Sequence, residues 1–260
     1  MILLIFRMLV SILFLWWGIN MKAYHFLDVD KFDLFDSKGE NETISTFQQL
    51  STAAGDDEPK SDLKLIKRDY YRGFDKYNII HEKVRRKKGR AYGADAIFNQ
   101  FVETLNMNAY FNKNLNLFIV EGNKGAVNEF IKKFHRDYAA QFRVKRDNVD
   151  FPYLIQHTHN VWGGWLNGFN DGSLKSVALY GDHVNLSEDY NRYEAAGRLS
   201  SLNCSITFEK NSYDFMITVN KTVVVMQNRT PEQDLDLLLF IRPMLYKEIK
   251  EVETIENNSQ

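Results

Sequence analysis

The sequence predicts an α+β protein: a mixed α/β N-terminal half, then an antiparallel β-sheet C-terminal half closed by a long helix. Three observations lead there. Apolar residues recur on one helical face in two segments before residue 140. Short β-branched runs dominate after Phe151. Thr230-Pro231-Glu232-Gln233 spells a helix start, with Thr230 as N-cap, Pro231 at the first helical position and Gln233 completing a capping box.

Taken in order, Met1–Gly18 is apolar but interrupted by Arg7. A spanning helix needs about 20 apolar residues, and a charge at mid-helix costs about 2.5–3.5 kcal/mol on insertion scales. Met8–Trp17 has signal-peptide length, yet Gly18-Ile19-Asn20-Met21 offers no small-x-small cleavage site. Trp16-Trp17-Gly18 must be encoded TGG TGG GGN. That is a G-rich tract just upstream of the Met21 codon, where a bacterial ribosome-binding site lies. Residues 1–20 are therefore read as an upstream extension, with a signal or anchor segment over residues 1–18 as the alternative. A start at Met21 implies a cytoplasmic protein with no membrane partner.

Ala23–Val29 reads as a strand. Asp36–Ser61 reads as a long polar loop with one short helix at Thr46–Leu50, and Leu63–Tyr71 as a second strand. Ile97, Phe98, Phe101, Val102 and Leu105 share a face, which predicts a helix over Ala94–Leu105. Leu115–Glu121 is an apolar strand. Val127, Phe130, Ile131, Phe134 and Tyr138 mark a second amphipathic helix, and Phe142–Lys145 a further strand. A boundary near Asp150 separates residues 21–150 from residues 151–250; residues 251–260 are a polar tail. Strands follow at Leu174–Tyr180, Ser205–Phe208, Phe215–Val219 and Thr222–Met226, with a tight turn at Asn220-Lys221. The closing helix carries Leu235, Leu238, Leu239, Arg242, Leu245 and Ile249 on one face. Leu237, Phe240 and Ile241 lie off it, so burial on more than one side is expected, with a kink or break at Pro243.

The 260 residues suffice to bury a core without disulfides or metals. Cys204 is the single cysteine, so no intramolecular disulfide forms and a reducing compartment is expected. Net charge is -1, so any polyanion partner has to be argued locally.

One local case is Lys83–Arg90, KVRRKKGR. Lys83, Arg85, Arg86, Lys87, Lys88 and Arg90 crowd into eight residues, and like charges repel unless solvated or paired with an anion. Tyr70, Tyr71, Tyr77 and Tyr92 flank the tract and are candidates to stack on bases. Six phosphate contacts would give a salt slope of about -5. The competing readings are a solvated loop and a protein-binding surface.

Gly122-Asn123-Lys124-Gly125 joins a strand to a helix, where free backbone N–H groups can bind an anion with help from Lys124. The tetrad resembles the GXXG loop of KH domains, which implies contact with a nucleic-acid backbone. It departs from the pattern because KH loops join two helices. The alternative is a tight strand–helix turn with a surface lysine.

Asp28 and Asp30 flank Val29 at a strand end, and alternation puts both carboxylates on one side, able to share Mg²⁺. DVDKF resembles the first metal-binding stretch of GGDEF-type nucleotide cyclases, and LDVD resembles the start of HAD phosphatases. Both resemblances imply phosphoryl chemistry. No GGDEF tetrad follows, and Lys31 and Phe32 stand where the HAD pattern has Gly and Thr. His157 and His159, two apart, would face one way on a strand and suit a metal, with His183 or Asp182 as a further ligand. Trp162 and Trp165 are either an aromatic platform or core. Cys204 sits in a strand-like context, and no Gly-x-Ser-x-Gly elbow exists.

Two classes of function emerge. The first is a non-enzymatic binding protein that holds nucleic acid or another polyanion through Lys83–Arg90, helped by Lys124, Lys132 and Lys133 on the solvent side of the second helix. The second is a Mg²⁺-dependent phosphoryl-transfer enzyme or nuclease built on Asp28 and Asp30. A protein-binding subunit of a larger complex is the remaining alternative.

Overall fold

The computed structural model describes residues 21–35, 39, 41–47, 59–90, 93, 97–170 and 173–248. The expected leader, the Thr46–Leu50 helix beyond Phe47, and the polar tail lie outside the described residues. What is described is α+β with the sheet dominant, and the pairings among its strands within residues 22–85 and 101–218 are antiparallel. The chain divides into two compact units. One holds Lys22–Asp147 and Thr222–Val224; the other holds Asn148–Lys221 and the chain from Val225 onward.

The first unit contains β1 (Lys22–Phe32), β2 (Thr43–Ser45), β3 (Ser61–Tyr71), β4 (Phe74–Arg85), β5 (Gly89–Arg90), β6 (Ile97–Phe98), β7 (Phe101–Asn112), β8 (Leu117–Glu121), α1 (Lys124–Asp137) and β9 (Phe142–Lys145). Its strands lie in the order β1-β8-β7-β4-β3-β2, with β9 also paired to β1. β3 and β4 are joined by a two-residue turn at Arg72-Gly73, both with positive φ (46° and 77°), a geometry that glycine tolerates. α1 starts at Asn123, whose side chain accepts from the Gly125 N–H. It buries Ala126, Val127, Phe130 and Phe134 against Leu27, Ile79, Phe118 and Val120 of the sheet and Phe142 and Val144 of β9. The Phe130 and Phe134 rings lie 4.5 Å apart, and Phe142 sits within 6.2 Å of each.

The expected helix over Ala94–Leu105 is overturned. Residues 97–98 and 101–112 are strands, and β7 pairs with β4 from Asp75↔Phe111 to Arg85↔Phe101. Leu105, Met107, Ala109 and Phe111 alternate onto one face, while Ile97, Phe101 and Val102 of the supposed apolar helical face are exposed. Partner strands at matching register overrode the helical spacing. The N-terminal half is thus an antiparallel sheet carrying one long helix rather than a mixed α/β arrangement.

The second unit contains α2 (Phe151–Gln156), β10 (Asn160–Asn167), β11 (Ser176–Tyr180), a 3-10 turn at Val184–Leu186, α3 (Glu188–Ala196), β12 (Arg198–Phe208), β13 (Asn211–Thr218) and α4 (Pro231–Leu245). Strand order is β11-β10-β12-β13. The second unit is interrupted in sequence by β14 (Thr222–Val225), of which Thr222–Val224 belongs to the first unit, and β14 is entered by a turn in which the Lys221 N–H donates to the Thr218 carbonyl. α4 forms as its start signal predicts: Thr230 caps it, Pro231 leads it, and both bonds of the capping box are made. It runs through Pro243 and ends two residues later. Burial of Leu235, Leu237, Leu238, Ile241, Met244 and Leu245 covers more than one side.

Phe130→Ala is expected to lose about 3–5 kcal/mol of stability through the cavity it leaves, read by denaturant unfolding. A loss under ~1 kcal/mol would show that α1 is not anchored by this ring.

Candidate nucleic-acid interface

The basic tract begins at the end of β4. Residues 77, 79 and 81 of β4 point to the core, so Lys83 and Arg85 continue that row past the core's edge. There Lys83 Nζ meets Glu129 Oε1 of α1 at 2.6 Å. Arg85 Nε meets Glu103 Oε2 at 2.6 Å, a diagonal pair across the β4–β7 ladder. Two of the six expected phosphate-binding cations are therefore matched by the protein's own carboxylates. Arg86, Lys87, Lys88 and Arg90 are exposed and make no ion pair among the described residues.

The ribbon that carries them outruns its neighbours. β3 pairs with β4 only as far as Ser61↔His81, and β8 pairs with β7 only from Asn108 onward. β4 and β7 continue together to Arg85↔Phe101, and β5 and β6 extend the pairing through Gly89↔Phe98 and Arg90↔Ile97. The outcome is a two-stranded arm with four unmatched cations near its tip. It also shows apolar side chains: Val84 opposite Val102, Ile97 at 67% exposure, and Phe98 against Phe101 at 5.7 Å.

Three of the four tyrosines expected to stack on bases are elsewhere. Tyr77 is buried, and Tyr70 and Tyr71 sit at the opposite end of β4, beside Lys76 and Arg72; Tyr92 lies outside the described residues. Among the described residues, the aromatic side chains near the cations are Phe98 and Phe101. Sequence reading placed both on a helix, so their position on the arm was hidden.

Lys124 opens α1, exposed and without an ion pair among the described residues. The likeness of its tetrad to a KH loop does not hold: β8 leads in, and each glycine and the asparagine have local duties. A Cβ on Gly122 would lie 2.6 Å from the Met107 sulfur, and Asn123 is the helix cap. Lys133, expected on the solvent side, is half-buried and donates to the Pro59 carbonyl; Lys132 is exposed.

The start of α1 is tied to β1 by His25. Its Nε2–H donates to the Gly122 carbonyl at 3.0 Å, and Nδ1 accepts from the Thr222 hydroxyl at 3.0 Å. Burial, with smaller contributions from Arg146 and Lys124, lowers its pKa to about 4. Burial likewise keeps His81 neutral; it lies between Ser61 Oγ (2.8 Å) and Glu129 (3.3 Å). The bond from Lys83 is the main reason Glu129 stays ionised below the usual carboxylate range.

The carboxylate pair is also rearranged. β1 shifts register between Val29 and Lys31, so Asp30 sits in a bulge and simple alternation with Asp28 is broken. Asp30 faces Lys145 Nζ at 3.2 Å, and this bond raises the lysine's pKa. His157 and His159 are not on a strand. His157 caps α2 and bonds the Tyr153 carbonyl at 2.8 Å; His159 accepts from the Thr207 N–H at 3.0 Å. No cluster of three His, Cys, Asp or Glu side chains fit for a metal exists among the described residues. Trp162 and Trp165 are half-buried, each near Tyr180. Cys204 is fully buried in β12, and burial pushes its thiol up to about 12.

Set against known proteins, the chain matches no family model and no curated relative. Among the described residues, no helix is long and apolar enough to cross a membrane.

His25 yields a pH dependence with a definite sign. Its folded pKa, about 4, is below the unfolded value of 6.5, so the unfolded chain binds the proton first. The stabilisation is complete above pH 6.5 and declines as pH falls toward 4, by roughly 3 kcal/mol in total. The stability gap between wild type and His25→Gln should accordingly narrow between pH 7 and pH 4, measured by urea unfolding. An unchanged gap would mean that His25 is not held neutral.

Proposed function

We propose that the protein is a non-enzymatic nucleic-acid-binding protein of the cytoplasm that grips duplex DNA with the β4–β7 arm. One observation carries the reading: the arm runs beyond both flanking strands and bears Arg86, Lys87, Lys88 and Arg90, which pair with no carboxylate among the described residues. A two-stranded ribbon fits the major groove of B-form DNA, whereas the deep, narrow groove of A-form RNA excludes it. The exposed Val84, Val102 and Ile97 supply apolar contact of the kind thymine methyl groups accept. Lys83 and Arg85 are assigned to holding the arm's base rather than to phosphates. Lys124 stays in the interface as a cation near that base: a Cβ on its neighbour Gly125 would lie 3.9 Å from Lys83 Nζ. The nuclease reading loses ground because Asp30 is occupied by Lys145.

The test is a salt titration of binding to a 30-base-pair duplex, comparing wild type with the combined Arg86→Ala, Lys87→Ala, Lys88→Ala and Arg90→Ala variant. Each phosphate contact adds about 0.9 to the slope of log K against log salt. Removing four should flatten the slope by roughly 3–4, while Lys83→Ala changes it little. Wild type that fails to bind duplex at low salt would end the nucleic-acid reading and leave the arm as a protein-docking element.

A further inference from the structure

Away from the arm, on the other flank of α1, lies a cleft of about 380 Å³ between the helix and the strands β1 and β9. Its floor is apolar: Leu27, Ile131 and Val144. Its polar groups are donors. Arg146, the residue just after β9, comes next in the inward row of Phe142 and Val144, where an apolar residue would continue the row. Its Nε and Nη2 are shielded from solvent and make no hydrogen bond among the described residues, and burial lowers its pKa. Lys132 stands on the rim, exposed and without an ion pair among the described residues. His135 accepts the Val144 N–H on Nε2 at 3.1 Å, and burial holds it neutral, so its remaining proton is on Nδ1 as a donor. Asn128 adds an amide. Lys145, also lining the cleft, is already paired with Asp30.

The geometry points to a binding site for a phosphate monoester carried on a small apolar body. Shielded guanidinium N–H groups without acceptors are costly, and an oxyanion satisfies them with charge-assisted bonds. Two unmatched cations suit a dianion. The Arg146 fork, Lys132, His135 and Asn128 offer more donors than the two oxygens of a carboxylate can use, while a phosphoryl group presents three terminal oxygens. The apolar floor then selects an ester over the free ion. The volume lies at the small end of ordinary ligand pockets, which limits the body to about one ring. The site is separate from the arm and does not depend on the DNA reading.

Calorimetric titration of the full chain with phenyl phosphate, inorganic phosphate and benzoate tests this. Phenyl phosphate should bind at least several-fold tighter than inorganic phosphate, and benzoate at least tenfold more weakly than phenyl phosphate. Arg146→Gln should weaken phenyl phosphate at least tenfold. Lys132→Ala, at an exposed position that leaves folding intact, should weaken it several-fold. The fourfold arm variant should bind it as wild type does. Absence of phenyl phosphate binding by wild type at millimolar concentration, equal affinity for benzoate, or unchanged affinity in both Arg146→Gln and Lys132→Ala would overturn the assignment.

Discussion

Phe130 and Phe134 fix α1 across the sheet of the first unit, and the positions of the polar and charged groups on its two flanks follow from that packing. The two rings contact each other and Phe142 of β9, and Phe118 lies 6.2 Å from Phe142 beneath them. Burying a phenylalanine contributes about 1.5–3 kcal/mol, so the pair outweighs any single polar contact on the helix. With the helix held there, its flanks meet different neighbours. Glu129 faces β4, where it takes Lys83 and His81. Asn128, Lys132 and His135 face the cleft beside β9, with Arg146 just past that strand. An amphipathic helix is usually described by its buried stripe; here the two margins of that stripe decide which cations are spent and which are free.

That division resolves a puzzle in the sequence. Six cations in eight residues repel one another in any conformation that keeps them together. The strand relieves part of this by geometry. Lys83 and Arg85 share the core-side face, where Glu129 and Glu103 wait at 2.6 Å. Pairs this exposed contribute no more than about 1 kcal/mol each. Their importance is positional: they stiffen the root of the arm and remove two cations from competition for a ligand. The next three cations leave the strand and spread into solvent. A chain with net charge -1 can therefore still present a local positive tip.

Legibility followed the range of the interactions. The start of α4 was readable because Thr230, Pro231 and Gln233 act within one turn. α1 and β8 were readable because a single face, or a continuous apolar run, repeats over their length. The strand β7 was not, because Ile97, Phe98, Phe101, Val102 and Leu105 satisfy a helical template and only pairing with residues near position 80 decides otherwise. Asp28 and Asp30 misled for a related reason: a bulge adds a residue that no local pattern announces. α3 carries local signals, Ser187 followed by Glu188 and Asp189, with Gly197 at its end, but it is short and set among strands. Arg146 left the clearest unread sign. In Phe142-Arg143-Val144-Lys145-Arg146 the inward row runs Phe, Val, Arg. A guanidinium at that third position needs a partner that the sequence does not name.

The arm raises a question of its own, since exposed ribbons are hazards. Past His81 on β4 and before Asn108 on β7, the flanking strands stop pairing, and Val84, Val102 and Ile97 lie open to solvent. Such edges template association with other chains, and charged residues are the usual protection. Protection alone does not account for the pattern seen. Repulsion between copies works equally well with carboxylates, and it works with charges spread along both strands. Here Glu82, Glu103 and the cations Lys83 and Arg85 already occupy the ribbon's root. Beyond them, among the described residues, the charges are Arg86, Lys87, Lys88 and Arg90, all of one sign and all on the side that leaves β4; Asp95 lies outside the described residues. A single-sign cluster next to apolar side chains is protected from its own copies and attractive to a polyanion. Under the proposed function, the apolar side chains would become available for contact once a polyanion had neutralised the tip.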